Sequence, residues 1–177
     1  MRLIIAAALA LFATQASAQA LGAPPPAAGV SGAPQPTAAG AGQQQALSFA
    51  GGRIHEALGF GNTFLVTTKA GDVVIDTSSP APAKRHRELL RAVSKAPVRY
   101  IILTHAHGDH VGGVPLWREP GTKVVEQANS VEFRNYQTRL AGFFVARNTA
   151  QFGGDIEARR GVDMNPGDYA APKLADV

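Results

Sequence analysis

The chain has 177 residues, with 17 Lys or Arg against 13 Asp or Glu and no cysteine. That length suits one ordinary domain, and the lack of cysteine excludes a disulfide framework, a thiolate metal site and a cysteine nucleophile. Arg2 is the only charged residue before Arg53, so an uncharged N-terminal third precedes a domain-like remainder.

Arg2 is followed by an apolar run from Leu3 to Ala13, and Ala16-Ser17-Ala18 forms a small-x-small cleavage site. This pattern predicts a secretory signal peptide over residues 1–18, and hence export to a bacterial periplasm or to the medium. The run is shorter than the ~20 apolar residues a membrane span needs, so no stable span is expected. Export permits disulfides without requiring them. Residues 19–48 are rich in Ala, Pro, Gly and Gln and carry no charge. They cannot bury enough apolar area to offset the cost of ordering, and a disordered linker is expected there. The domain is expected over residues 49–177.

Thr63 to Thr68 and Val73 to Ile75 are β-rich runs around an Ala70-Gly71-Asp72 turn, which predicts a hairpin. Pro80 and Pro82 stand where a helix can start. Ala83, His86, Leu89, Leu90, Val93 and Ala96 then recur at helical spacing through 82–96, and Pro97 stops the helix. Val98 to Leu103 suits a strand buried on both faces. Strand, helix and strand in this order predict a crossover and a parallel pair. Gly112-Gly113 opens a helical turn through Trp117, and Thr122 to Val125 form a short strand. Residues 129–147 are expected to be one amphipathic helix whose aromatics pack in the core, ended by Gly153-Gly154. Residues 155–177 show no strong period.

The net charge of +4 does not point to nucleic acid. Lys84, Arg85, His86, Arg87 and Arg91, interrupted by Glu88, are expected to form the solvated face of a helix, with His86 exposed. His55 is expected to be a surface or loop residue. The expected partner is a small-molecule substrate; the sequence gives no indication of oligomeric state.

Chemistry concentrates after the Ile101-Ile102-Leu103-Thr104 strand, in His105-Ala106-His107-Gly108-Asp109-His110 followed by Val111-Gly112-Gly113. Three of the five histidines and one carboxylate fall within six residues. The C-terminal end of a strand in an α/β sheet is where ligands usually sit. Imidazole and carboxylate suit zinc, and admit iron or manganese. His105 and His107, two apart in an extended segment, can point the same way. A turn at Gly108 can then aim Asp109 and His110 at a second point nearby.

This segment closely resembles the signature of the metallo-β-lactamase-fold hydrolases. Asn62 to Val66, followed by Gly71-Asp72-Val73-Val74-Ile75-Asp76-Thr77, looks like the first hairpin of that family. The run from His107 to Val114, with Arg134-Asn135, resembles its exported, alkyl-sulfatase-like branch. The resemblance covers about residues 50–150 and implies an α/β fold of the αββα sandwich type. It implies that His105 and His107 ligate a first zinc, that Asp109 and His110 ligate a second, and that Asp76 is a carboxylate orienting the ligand loop. It also implies hydrolysis of an ester, sulfate ester, thioester or β-lactam by metal-bound hydroxide, with Asp109 positioning that hydroxide and able to take its proton. The family's later ligands, a third His, a bridging Asp and a final His, find no counterpart after His110. The domain is therefore expected to be the N-terminal half of such an enzyme. The alternatives are an inactive metal-binding fragment and a periplasmic interaction module without catalysis.

Overall fold

The structure, a computed structural model, describes residues 38–152. The expected signal peptide, most of the expected linker and the segment from Gly153 lie outside the described residues. Six strands form a single sheet in the order of the sequence: β1 (Leu47–Phe49), β2 (Ile54–Ala57), β3 (Thr63–Val66), β4 (Asp72–Ile75), β5 (Val98–Ile102) and β6 (Lys123–Val125). The first four pair antiparallel, whereas β4–β5 and β5–β6 are parallel. The hairpin and the crossover read from the sequence are both present. The crossover helix is α1 (Pro80–Val93), with Pro80 and Pro82 in its first turn, where a proline costs no hydrogen bond. Two short helices follow β5, α2 (Gly108–Val111) and α3 (Val114–Trp117).

Cross-strand register decides which side chains are covered. Leu65, Val74, Ile101 and Val124 lie side by side across β3, β4, β5 and β6, and all four are fully buried. They pack against Leu89 and Leu90 of α1 and Trp117 of α3 in one continuous core. The opposite row, Phe64, Ile75, Ile102 and Val125, is only partly covered. Tyr100 and Ile102 are 43% and 38% exposed, so β5 is not buried on both faces as expected. Of the four layers of an αββα sandwich, the described residues supply a sheet and the helices on one of its faces.

Several expectations need correction. Residues 38–48, assigned to the disordered linker, hold the first strand and an ordered turn. The Gln43 amide donates to the Glu56 carbonyl at 3.0 Å and accepts from the Leu58 amide at 2.8 Å, satisfying the polar groups that composition alone leaves unaccounted for. The single helix expected over 129–147 is two, α4 (Ser130–Arg139) and α5 (Ala141–Phe152), broken at Leu140, where φ is −104° and ψ is 25°. Gly142 follows closely and weakens continuation. The aromatics of these helices are not core residues: Phe143 is 60% exposed and Tyr136 is exposed too, and they stack on one another instead. Trp117, by contrast, is fully buried.

His55 and His86 are also misplaced by the sequence reading, being 4% and 2% exposed. Strand alternation turns His55 inward with Ala57, and its Nδ1 meets the Ser48 hydroxyl at 2.9 Å. His86 falls on the same helical face as Ala83, Leu89 and Leu90. Arg91, in the supposedly solvated cluster, is mostly covered and pairs with Asp72 and Glu119.

Candidate metal centre

The site lies where β4 and β5 end side by side. Beyond Ile102 the chain leaves the sheet, bends at Thr104 and His105, and turns into α2 with His107, in extended conformation, at the helix N-cap. Beyond Ile75 it passes through Asp76 and Ser78, both non-glycine residues in the left-handed region, with φ of 54° and 63°. Such backbone is held only where surrounding bonds over-determine it. The bonds here tie the two loops together. The Thr77 amide and hydroxyl both donate to the His110 carbonyl, at 2.8 and 2.9 Å, and the Gly113 amide donates to the Ser78 carbonyl at 3.1 Å. A side chain at Gly113 would strike the Thr77 carbonyl at 2.2 Å, which explains the glycine.

Asp76 organises the histidines. Its buried carboxylate accepts from the Thr104 amide at 2.8 Å, the Thr104 hydroxyl at 2.7 Å and Nδ1 of His110 at 2.7 Å. The Thr104 hydroxyl has given its one proton to Asp76, so it can only accept from Nδ1 of His105, 3.1 Å away. Both imidazoles therefore carry their proton on Nδ1 and leave Nε2 as the ligating nitrogen. Sequence reasoning found Asp76 and missed Thr104; the signal available was a hydroxyl residue directly before the first histidine.

The structure brings the four expected ligands into one neighbourhood. The His105 ring centroid lies 4.7 Å from that of His107 and 4.0 Å from that of His110. Nε2 of His110 is 3.4 Å from Oδ2 of Asp109, matching the roughly 3.4 Å between two donors on one tetrahedral zinc. Partial burial pushes the His107 pKa down, aided by the interaction with the His105 ring and opposed by the Asp109 carboxylate; the net lowering favours the neutral form a metal needs. Burial pushes Asp109 up, but the bond and charge of His110 outweigh it and leave the carboxylate below its usual range. Burial would depress His110, yet its bonds to Asp109 and Asp76 prevail and raise it to about 9. Without a metal, the two carboxylates thus hold a positive charge between them in the form of a proton.

The donor chemistry suits zinc, as neutral imidazoles with one carboxylate. The number of donors does not complete a site: among the described residues, no three ligating side chains gather at one point. A cleft of about 350 Å³ opens beside His105 and His107, with Phe133, Asn129 and Gln127 on its far side. Phe133 meets His107 edge-on at 5.2 Å between centroids. Its neighbour Arg134 is buried and grips Glu126 through both terminal nitrogens, at 2.6 and 2.9 Å, which anchors α4 beside the cleft.

A histidine-rich loop at the end of a parallel strand pair, oriented by the carboxylate of the preceding strand, places this chain in a fold class confirmed by comparison. The profile of the metallo-beta-lactamase superfamily matches residues 57–165, and the chain belongs to that superfamily. The lactamase-like protein nscB of Trichophyton rubrum is 44% identical over 55 residues, covering 30% of this chain and 17% of the relative. A UPF0173 metal-dependent hydrolase of Thermodesulfovibrio yellowstonii is 33% identical over 107 residues, covering 56% of this chain and 38% of the relative. Among solved structures, the sec-alkyl sulfatase PisA1 superposes with a TM-score of 0.51 at 22% identity over 59% of this chain and 18% of its own, a likeness of fold. The matched segment spans about a fifth of the nscB relatives.

Proposed function

We propose that this chain carries the metal-binding part of an exported zinc-dependent hydrolase. His105 and His107 would hold one ion through their ring nitrogens, and Asp109 and His110 a second. Two donors per ion leave positions to be filled from beyond the described residues, since a catalytic zinc takes about three protein ligands. Zinc, when bound, would bring the pKa of a water toward neutrality and polarise the bond under attack.

The chain's own residues supply the rest. Asp76 fixes both imidazole tautomers, directly for His110 and through the Thr104 hydroxyl for His105. Asp109, held anionic beside the His110 nitrogen, can orient an attacking water and accept its proton. Phe133 walls the cleft, so the substrate presents an apolar group there and its scissile ester, sulfate ester, thioester or β-lactam bond to the histidines. The observation that carries this reading is the Asp76 carboxylate, which is bonded at once to the amide and hydroxyl of Thr104 and to a candidate ligand, His110. The test is zinc-dependent hydrolysis of a panel of chromogenic ester, sulfate ester, thioester and β-lactam substrates by the full chain. Turnover lost in His105→Ala and Asp109→Asn supports the reading; turnover unchanged in both opposes it.

One observation favours a second reading, metal binding without turnover: no three ligands meet at one point among the described residues. Zinc bound by the full chain with no hydrolysis across the panel would select it.

A further inference from the structure

Asp109 is backed by the β2–β3 loop, which lies at the same end of the sheet as the candidate ligands, since Phe64 at the start of β3 pairs with Ile75 at the end of β4. Residues 58–62 join β2 to β3, and their tip, Gly61, adopts a φ of +87°. A Cβ on Gly61 would lie 1.9 Å from the Asp109 carbonyl oxygen and 3.1 Å from the Asp109 Cβ, so the bare glycine main chain rests directly on the candidate ligand. The loop is held at both ends by one side chain. Nε2 of His86 is 3.0 Å from the Leu58 carbonyl, and Nδ1 is 3.0 Å from the Thr63 hydroxyl. A carbonyl can only accept, so Nε2 carries the proton and Nδ1 receives that of Thr63. The ring also packs under the loop, where a Cβ on Gly59 would come 2.7 Å from Nε2. Asn62 closes the turn from within, accepting from the Gly59 amide at 2.9 Å and donating to Glu56 at 2.8 Å.

We propose that His86 is a positioning residue for Asp109: its two ring nitrogens staple the ends of the 58–62 loop, and Gly61 at the tip rests on the main chain and Cβ of Asp109, whose carboxylate would serve the second ion. His86 lies on α1 and Asp109 on α2, and the 58–62 loop links the two. The proposal rests on the metal-binding reading above. It differs from a purely structural role for His86 because it singles out one ligand pair: Asp109 and His110 should respond, and His105 and His107 should not.

The experiment has a metal-free arm and a zinc arm, both on the full chain. Nuclear magnetic resonance of the metal-free protein compares His86→Ala, His86→Gln and Gly61→Ala with the parent. The Asp109 amide and carboxyl-carbon signals should move in His86→Ala and Gly61→Ala while those of His105 stay in place. The His86→Gln amide, which can donate to Leu58 and accept from Thr63, should restore them. In competition with a chromophoric chelator, the second zinc should weaken about tenfold to hundredfold, as loss of an outer support typically does, and the first by less than about twofold. Gly61→Ala leaves the α1 core untouched and keeps the test valid if His86→Ala fails to fold. Asp109 signals that stay in place in Gly61→Ala, or signals of all four ligands that move together, overturn the proposal. Parent protein that binds no zinc removes the metal reading alone, because the resonance arm still decides whether the loop seats Asp109.

Discussion

Asp76 shows how much of the site depends on a residue that would not itself touch a metal. Its carboxylate sits in left-handed backbone at the end of β4 and accepts three hydrogen bonds from two partners, Thr104 and His110. Burial alone would raise its pKa; the bonds from His110 and Thr104 hold it below the usual range instead. Asp76→Asn removes the charge while keeping the shape. Hydrogen bonds to a charged group are worth about 1.5–3 kcal/mol each, so unfolding in urea should show a loss of at least ~2 kcal/mol. Zinc affinity should fall about tenfold to hundredfold in the same variant. A fully stable Asp76→Asn protein with parental zinc affinity would mean that Asp76 neither orders the loop nor orients its histidines.

At the scale of the elements, the hairpin, the crossover helix and the strand before the histidines were legible because each follows from a period or a turn residue. The four ligand candidates were legible because imidazole and carboxylate were concentrated at a strand end. What escaped was burial that runs against residue type. His86 kept the spacing of Ala83, Leu89 and Leu90, yet charged neighbours at 84, 85 and 87 argued for solvent; spacing was the better guide, since it fixes the face of the helix. The aromatics of α4 and α5 escaped in the opposite sense, because amphipathic spacing identifies an apolar face without saying whether another layer covers it. The buried ring of His86 has a consequence for pH. Burial lowers its pKa from 6.5, against a raising effect of its bond to Leu58. The unfolded chain then takes up this proton at a higher pH than the folded one, so the contribution of His86 to stability is complete above about pH 6.5 and declines as pH falls below it. The difference in unfolding free energy between the parent and His86→Gln should therefore narrow from pH 7.5 to pH 5. A difference that stays constant over that range would mean the ring titrates alike in both states.

For the whole molecule, the asymmetry of the sheet is the dominant feature. One face carries the continuous core centred on Leu65, Val74, Ile101 and Trp117. Replacing Trp117 with Ala should cost about 3–5 kcal/mol, as for other large buried aromatics, and thermal unfolding would measure it. The other face presents Phe64, Val73, Ile75, Tyr100 and Ile102, partly or largely uncovered among the described residues. Contiguous apolar surface of this kind promotes association. Sedimentation velocity of the full chain should show concentration-dependent mass that Ile102→Glu shifts toward the monomer; a monomer at all concentrations would show that this face is covered in solution.

The account depends most on metal capture by the loop after β5, and calorimetric titration of zinc into the metal-free full chain tests it most directly. Saturable binding that is abolished in the His105→Ala/His107→Ala/Asp109→Asn/His110→Ala protein, with the fold retained by circular dichroism, is the expected result. Zinc binding of equal strength in that variant, or none in the parent, would contradict it.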